Sequence, residues 1–235
     1  MRKYEHIFFD LDHTLWDFET NSSETLRDLY YNHELVNRGI ESFEIFHDTY
    51  KHHNAIYWDR FRKGFISRED LRWKRMWRTL IDFKVADEPF ARSLSEEYLE
   101  ILPTKTNLFH DTIEVLDHLK EKQYSLHLIT NGFEKTQHAK LYNSGLTDYF
   151  SQVITSEAAG IMKPHVMIFE YAMEKAGTTA GKSIMVGDTL DADIEGAKNA
   201  GIDTVYFNPH DQKAEEGSTI PTYEIKQLSE LKKIL

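Results

Sequence analysis

Two aspartates one residue apart, Asp10 and Asp12, close the apolar run Ile7-Phe8-Phe9 near the start of the chain. At an extended strand end, positions two apart face the same side, so both carboxylates converge on one point. Three more acids follow a later apolar segment in Val186-Gly187-Asp188-Thr189-Leu190-Asp191-Ala192-Asp193, where the glycine permits a tight turn. Between these two stretches, Ile129-Thr130-Asn131-Gly132 offers a hydroxyl, an amide and a turn, and Met162-Lys163-Pro164 offers a cation beside a rigid neighbour. Gathered carboxylates repel unless protons or a cation intervene, and a bound metal supplies that cation. Such acids, with a hydroxyl and an ammonium opposite, would cradle a tetrahedral oxyanion. Taken singly, the same stretches also read as an acidic turn, a strand-ending turn, a surface lysine and helix N-terminal acids.

Their common placement is what sets them apart, because each falls at the carboxyl end of an expected strand. Beyond the first strand, strands are expected at 124–130, 152–155, 183–187 and 204–207, and helices at 112–122, 135–143, 166–176, 193–200 and 225–233. That alternation predicts an α/β fold: a Rossmann-like, doubly wound parallel sheet with helices on both faces. Ligands bind such sheets at the carboxyl ends of the strands. From Trp16 to Pro103 the apolar spacing is helical instead, and this stretch holds all four tryptophans. Leu26, Leu29, Tyr30 and His33 share one face; Ile45, Phe46, Thr49, Tyr50, His53, Ile56 and Tyr57 share another. Ser67-Arg68-Glu69-Asp70 reads as a helix start for Leu71, Lys74, Trp77 and Ile81. Asp87 and Pro89 begin a last helix that Pro103 stops. The expected organisation is a core of residues 1–15 and 104–235 with a helical module of residues 16–103 inserted after the first strand. A polar loop is expected at 213–218.

Composition narrows the function classes. The chain has 235 residues, 40% hydrophobic and 29% charged, the balance of an ordinary globular protein rather than a disordered one. No cysteine is present, which excludes thiolate metal sites and cysteine nucleophiles. A net charge of −11 argues against a nucleic-acid polymer as partner and leaves room for a small anion bound by local charge. No apolar run is long enough for a membrane span. The opening Met1-Arg2-Lys3-Tyr4-Glu5 is too short and acidic for a secretory signal, so the expected location is cytoplasmic.

Asp10-Leu11-Asp12-His13-Thr14-Leu15, Ile129-Thr130-Asn131-Gly132, Lys163-Pro164 and Gly187-Asp188-Thr189 with Asp193-Ile194 together resemble the haloacid dehalogenase-like hydrolase superfamily. The resemblance spans nearly the whole chain and gives the inserted module the place of that family's α-helical cap. Within the superfamily, Phe9–Phe18 and the stretch from Arg62 to Arg72 are similar to the pyrimidine 5'-nucleotidases that hydrolyse noncanonical nucleoside monophosphates. What the resemblance implies is a Mg2+-dependent phosphomonoester hydrolase acting on a small phosphorylated metabolite, as a monomer or homodimer. Asp10 would be the nucleophile and Asp12 the acid and base. Asp10, the backbone carbonyl of Asp12 and Asp188 would hold Mg2+, with Asp193 orienting a metal-bound water or Lys163. Thr130, the backbone N–H of Asn131 and Lys163 would bind the phosphoryl oxygens. His13 stands where glycine, asparagine or aspartate is commonest in the family, and would donate to a phosphate or contact the cap.

In the module, the run 60–78 mixes cations with Trp58, Phe61, Phe65, Trp73 and Trp77. Lys63 and Phe65 are its candidate substrate contacts, although the same run also reads as a buried stripe with a solvated basic face. Other activities remain on this scaffold: a sugar-phosphate or phosphoglycolate phosphatase, a phosphomutase, or a 2-haloacid dehalogenase. The last needs no metal, so Asp12, Asp188 and Asp193 together point away from it. A non-catalytic regulator is disfavoured because each motif position retains competent chemistry.

Overall fold

β1 (His6–Phe9) is the hinge of the architecture, and its sequence explains why. Ile7, Phe8 and Phe9 are each fully buried, so both faces of this strand are covered, as a central strand of a parallel sheet requires. The computed structural model describes residues 3–213 and 217–235; positions 1, 2 and 214–216, the latter inside the expected polar loop, lie outside them. Five further strands follow: β2 (Ser125–Thr130), β3 (Gln152–Thr155), β4 (Ser183–Gly187), β5 (Asp203–Phe207) and β6 (Tyr223–Ile225). All pair in parallel, in the order β3-β2-β1-β4-β5-β6. Strand progression reverses at β1, which makes the carboxyl ends of β1 and β4 the switch point where doubly wound sheets bind ligands.

Helices flank this sheet. They are α5 (Thr112–Glu121), α6 (Glu134–Asn143), the single turn α7 (Ser156–Ala159), α8 (Val166–Ala176), α9 (Gly196–Asn199) and α10 (Leu231–Ile234). Phe8, Ile129, Ile154 and Met185 on one sheet face pack against Ile168, Phe169 and Ala172 of α8 and Ala197 of α9. Burying side chains of this size contributes roughly 1.5–3 kcal/mol each. Ile7 and Phe9 alternate to the other face, where Phe9 meets the edge of Phe150, the centroids 6.4 Å apart.

Two elements differ from the sequence-based expectation. The helix expected at 225–233 is instead β6, a 3-10 turn at Leu228–Glu230 and the short α10. Thr222 and Thr204 exchange backbone-to-hydroxyl hydrogen bonds of 3.1 Å each way, which draws Tyr223 into register with Val205 before any helix begins. The helix expected at 193–200 starts earlier, as a π-helical turn at Leu190–Glu195 in which the Ile194 N–H reaches the Thr189 carbonyl.

The chain divides into two compact units, Met1–Phe18 with Thr106–Leu235, and Glu19–Lys105. The second is helical. Apart from the first residue of α1 (Phe18–Asn32), it contains α1, α2 (Phe43–Arg62), α3 (Arg68–Asp82) and α4 (Glu88–Ile101). Ser67 caps α3 by accepting from the Asp70 N–H, and Asp87 caps α4 by accepting from Phe90. On α2 the buried positions are Phe43, Phe46, Tyr50, His53 and Phe61, while Ile45 and Ile56 face solvent. Large aromatics have taken the inward face and turned the two isoleucines out. Among the described residues, no helix is long and apolar enough to cross a membrane.

Candidate active site

Register alone brings the motifs together. Phe9 pairs with Val186 on one side and Leu128 on the other, so Asp10 emerges beside Gly187-Asp188 and close to Thr130. The Asp10 N–H extends the ladder by donating to the Val186 carbonyl at 2.9 Å. The chain then turns back: the His13 N–H bonds the Trp16 carbonyl, and the Trp16 N–H bonds the Leu11 carbonyl. His13 takes a left-handed conformation, φ 64°, which explains why residues tolerant of that region suit this position. Its ring packs on Phe18, centroids 4.9 Å apart.

Lys163 is the centre of the cluster. Its ammonium sits 2.6 Å from Asp10 Oδ1 and 2.6 Å from Asp193 Oδ1, all three groups buried. Asn131 locks the backbone that carries this lysine, donating to the Lys163 carbonyl and accepting from the Lys163 N–H, both at 2.9 Å. Asp193 is itself held by the Thr189 N–H at 3.1 Å. Fully buried Thr14 donates to Asp188 Oδ1 at 3.2 Å. Asp10, Asp188 and Asp193 offer carboxylate oxygens that all lie within 4.8 Å of one another.

The sequence-derived ligand set is the Asp10 and Asp188 carboxylates with the backbone carbonyl of Asp12, and Asp193 beside them. The carboxylates that converge are Asp10, Asp188 and Asp193, while the side chain of Asp12 turns to α6. There Lys140 lies 2.5 Å from Asp12 Oδ1, and Gln137 donates to Asp12 Oδ2 at 2.9 Å. Sequence reading missed Thr14, Gln137 and Lys140. The signal for the last two lay in the helix itself: Phe133, Gln137, Lys140 and Leu141 follow inward-facing helical spacing, and an amide and an ammonium occupy positions normally apolar. Lys63 and Phe65 belong to the helical unit. Lys63 pairs with Asp59 at 2.9 Å, and Phe65 is 75% exposed.

Burial pushes the Asp10 carboxyl well above its ordinary range, Lys163 pulls it back, and Asp193, Asp188 and Asp12 push it further up. Asp188 is pushed up to about 7, by burial first and then by Asp193. Burial works against the Lys163 ammonium, but Asp10 and Asp193 more than offset it and hold the lysine above its usual value. Four acids thus face two ammonium groups, Lys163 and Lys140. Hard oxygen donors short of positive charge suit an oxygen-seeking divalent cation, so Asp10, Asp188 and Asp193 fit Mg2+.

Gly187 leaves no room between its backbone and Asp193. A methyl group on Gly187 would lie 2.4 Å from the Asp193 carboxyl carbon. Gly187→Ala is therefore expected to displace Asp193 from Lys163 and lower Tm by about 5 °C. Gly181→Ala, whose added methyl meets nothing within 4 Å, is the control in the same melting experiment. Equal Tm values for the two variants would contradict this packing.

Comparison with known proteins gives a consistent result. Residues 4–201 match the haloacid dehalogenase-like hydrolase family. Pyrimidine 5'-nucleotidase PynA of Streptococcus pneumoniae is 33% identical over 229 residues, covering 97% of this chain and 93% of the relative. Pyrimidine 5'-nucleotidase YjjG of Escherichia coli is 30% identical over 236 residues, covering 99% and 98%. Among solved structures, the HAD-hydrolase YfnB of Bacillus subtilis bound to magnesium superposes with a TM-score of 0.89 at 30% identity, covering 100% of this chain and 99% of that one.

Proposed function

This chain belongs to the haloacid dehalogenase-like hydrolase family, and we propose that, as a phosphatase of that family, it hydrolyses nucleoside 5'-monophosphates through an aspartyl-phosphate on Asp10. The observation that carries the chemistry is the contact of Asp10 with Lys163, itself paired to Asp193, with Asp188 alongside. The two nucleotidase relatives, similar over nearly their whole lengths, support the substrate class.

In the first step an Asp10 carboxylate oxygen attacks phosphorus as the bond to the leaving ester oxygen breaks, and Asp12 gives that oxygen a proton. In the second, water attacks the aspartyl-phosphate, Asp12 takes the water proton, and inorganic phosphate leaves with Asp10 restored. Lys163, the Thr130 hydroxyl and the Asn131 N–H stabilise the phosphoryl oxygens through both transfers. The Thr130 oxygen already accepts from the Gly132 N–H at 3.1 Å, which leaves its proton for a ligand. Asn131 also fixes Lys163 in place through its side chain. Mg2+, held by Asp10, Asp188 and Asp193, would supply charge that lets an anionic nucleophile and an anionic phosphate approach.

The test is a phosphate-release panel of dUMP, dTMP, UMP, sugar phosphates, phosphoglycolate and pyrophosphate, run with Mg2+ and with EDTA. Hydrolysis of the nucleotides by at least about tenfold over the rest, abolished by EDTA and restored by Mg2+, is the expected outcome. A preference for sugar phosphates would remove the nucleotidase reading and leave the hydrolytic chemistry standing. Turnover of a chloro-acid that survives EDTA would overturn both.

A further inference from the structure

Helix α6 presents two polar side chains to the interior, where apolar ones would be the stable choice. Gln137 is 1% exposed and Lys140 is 2% exposed. Burying an amide and an ammonium is costly unless their hydrogen-bonding groups are satisfied, and here they are satisfied by functional residues. The Gln137 amide donates to Thr130 Oγ1 at 2.7 Å and to Asp12 Oδ2 at 2.9 Å, which uses both of its hydrogens. Lys140, one turn further on, reaches Asp12 Oδ1 at 2.5 Å and lies 4.2 Å from the centroid of the fully buried Trp16 ring. Both oxygens of Asp12 are therefore fixed from this helix.

The arrangement also disposes of the Thr130 proton. Thr130 Oγ1 accepts from Gln137 and from the Gly132 N–H, so its lone pairs are occupied and its own O–H is directed elsewhere. Gly132 is part of the same construction. A methyl group there would lie 2.4 Å from the Gln137 side-chain carbonyl carbon, so the glycine is what admits the amide.

We propose that Gln137 and Lys140 are positioning residues for the hydrolysis: the Gln137 amide aims the Thr130 hydroxyl at a phosphoryl oxygen and, with Lys140, aims the Asp12 carboxyl at the leaving oxygen. Orientation is what the pair sets. The inference rests on the reading of Asp12 as the group that protonates the leaving oxygen, and the experiment separates the two.

Gln137→Met and Lys140→Met, with Asp12→Ala as reference, are compared by kcat/KM on dUMP and on p-nitrophenyl phosphate. Ribose 5-phosphate replaces dUMP if sugar phosphates prove to be preferred. The alkoxide leaving group needs a proton in the transition state and the nitrophenolate does not. All three variants are expected to lose at least about tenfold more on the alkyl phosphate than on the aryl one. Of the two methionine variants, Gln137→Met is also expected to raise Ki for inorganic phosphate about fivefold, because Gln137 bonds Thr130 and Lys140 bonds Asp12. Equal losses on both esters in either methionine variant, whatever its Tm, while Asp12→Ala stays skewed, would overturn the proposal. An unskewed Asp12→Ala would remove the Asp12 assignment, and the proposal with it.

Discussion

Asp10→Asn is expected to lower phosphate release by about 10^5-fold or more while leaving the protein folded. The substitution keeps the shape of the side chain and removes its nucleophile, since an amide oxygen does not form the acyl phosphate. The fold has little reason to respond. Asp10 is buried at the end of β1, where burial and three neighbouring carboxylates already disfavour its charge. A neutral amide is no worse a tenant of that position, and Lys163 keeps its 2.6 Å contact with Asp193. Metal-free Tm is therefore expected to stay level or rise. The Mg2+-induced increase in Tm should shrink, because one of three converging carboxylates is gone. Residual turnover above about 1% of wild type, in protein with an unchanged Tm, would remove Asp10 from the nucleophile's role.

Placing Asp10 required little more than the strand it ends. Ile7-Phe8-Phe9 is apolar on both faces, so it sits in mid-sheet, and the first polar residue after it must lie at the strand's carboxyl end. The same logic positions Thr130 as the last residue of β2 and Asp188 just after β4. It fails where a neighbour distant in sequence decides the outcome. Gln137 and Lys140 meet Asp12 across 125 and 128 residues of chain, and helical periodicity read them only as two positions on α6. β6 is a second case: residues 223–225 carry no strong strand signal and are recruited by the edge of β5 through Thr204 and Thr222. On α2 the expected face was right at Phe46, Tyr50 and His53 and wrong at its edge, because Phe43 and Phe61 outcompete Ile45 and Ile56 for the interior.

Lys163→Met carries the largest expected cost in stability. The ammonium lies between Asp10 and Asp193, and its loss leaves three carboxylates, two buried and one half-buried, within 4.8 Å of one another with no cation among them. Removing one partner of a buried ion pair destabilises by about 3–5 kcal/mol, and the metal-free variant at about pH 8 should show that full loss in a denaturant melt. The cost has a definite pH dependence. A carboxyl whose folded pKa is raised contributes stability that is complete below its unfolded value and is lost as pH rises through the folded one. Asp10 is raised by burial and its acidic neighbours, and Asp188 is raised to about 7. Lys163, held above its ordinary value, stays charged throughout this range and moderates the loss in the wild type. Metal-free wild type should therefore weaken gently from about pH 5 to pH 8, and Lys163→Met steeply over the same interval. Mg2+ competes with protons for these oxygens, so the stabilisation it confers on both proteins should grow as pH rises. A Lys163→Met variant as stable at about pH 8 as at pH 5 would mean that the carboxylates do not repel one another. An increment from Mg2+ independent of pH would mean that Asp188 is not among the groups that bind it.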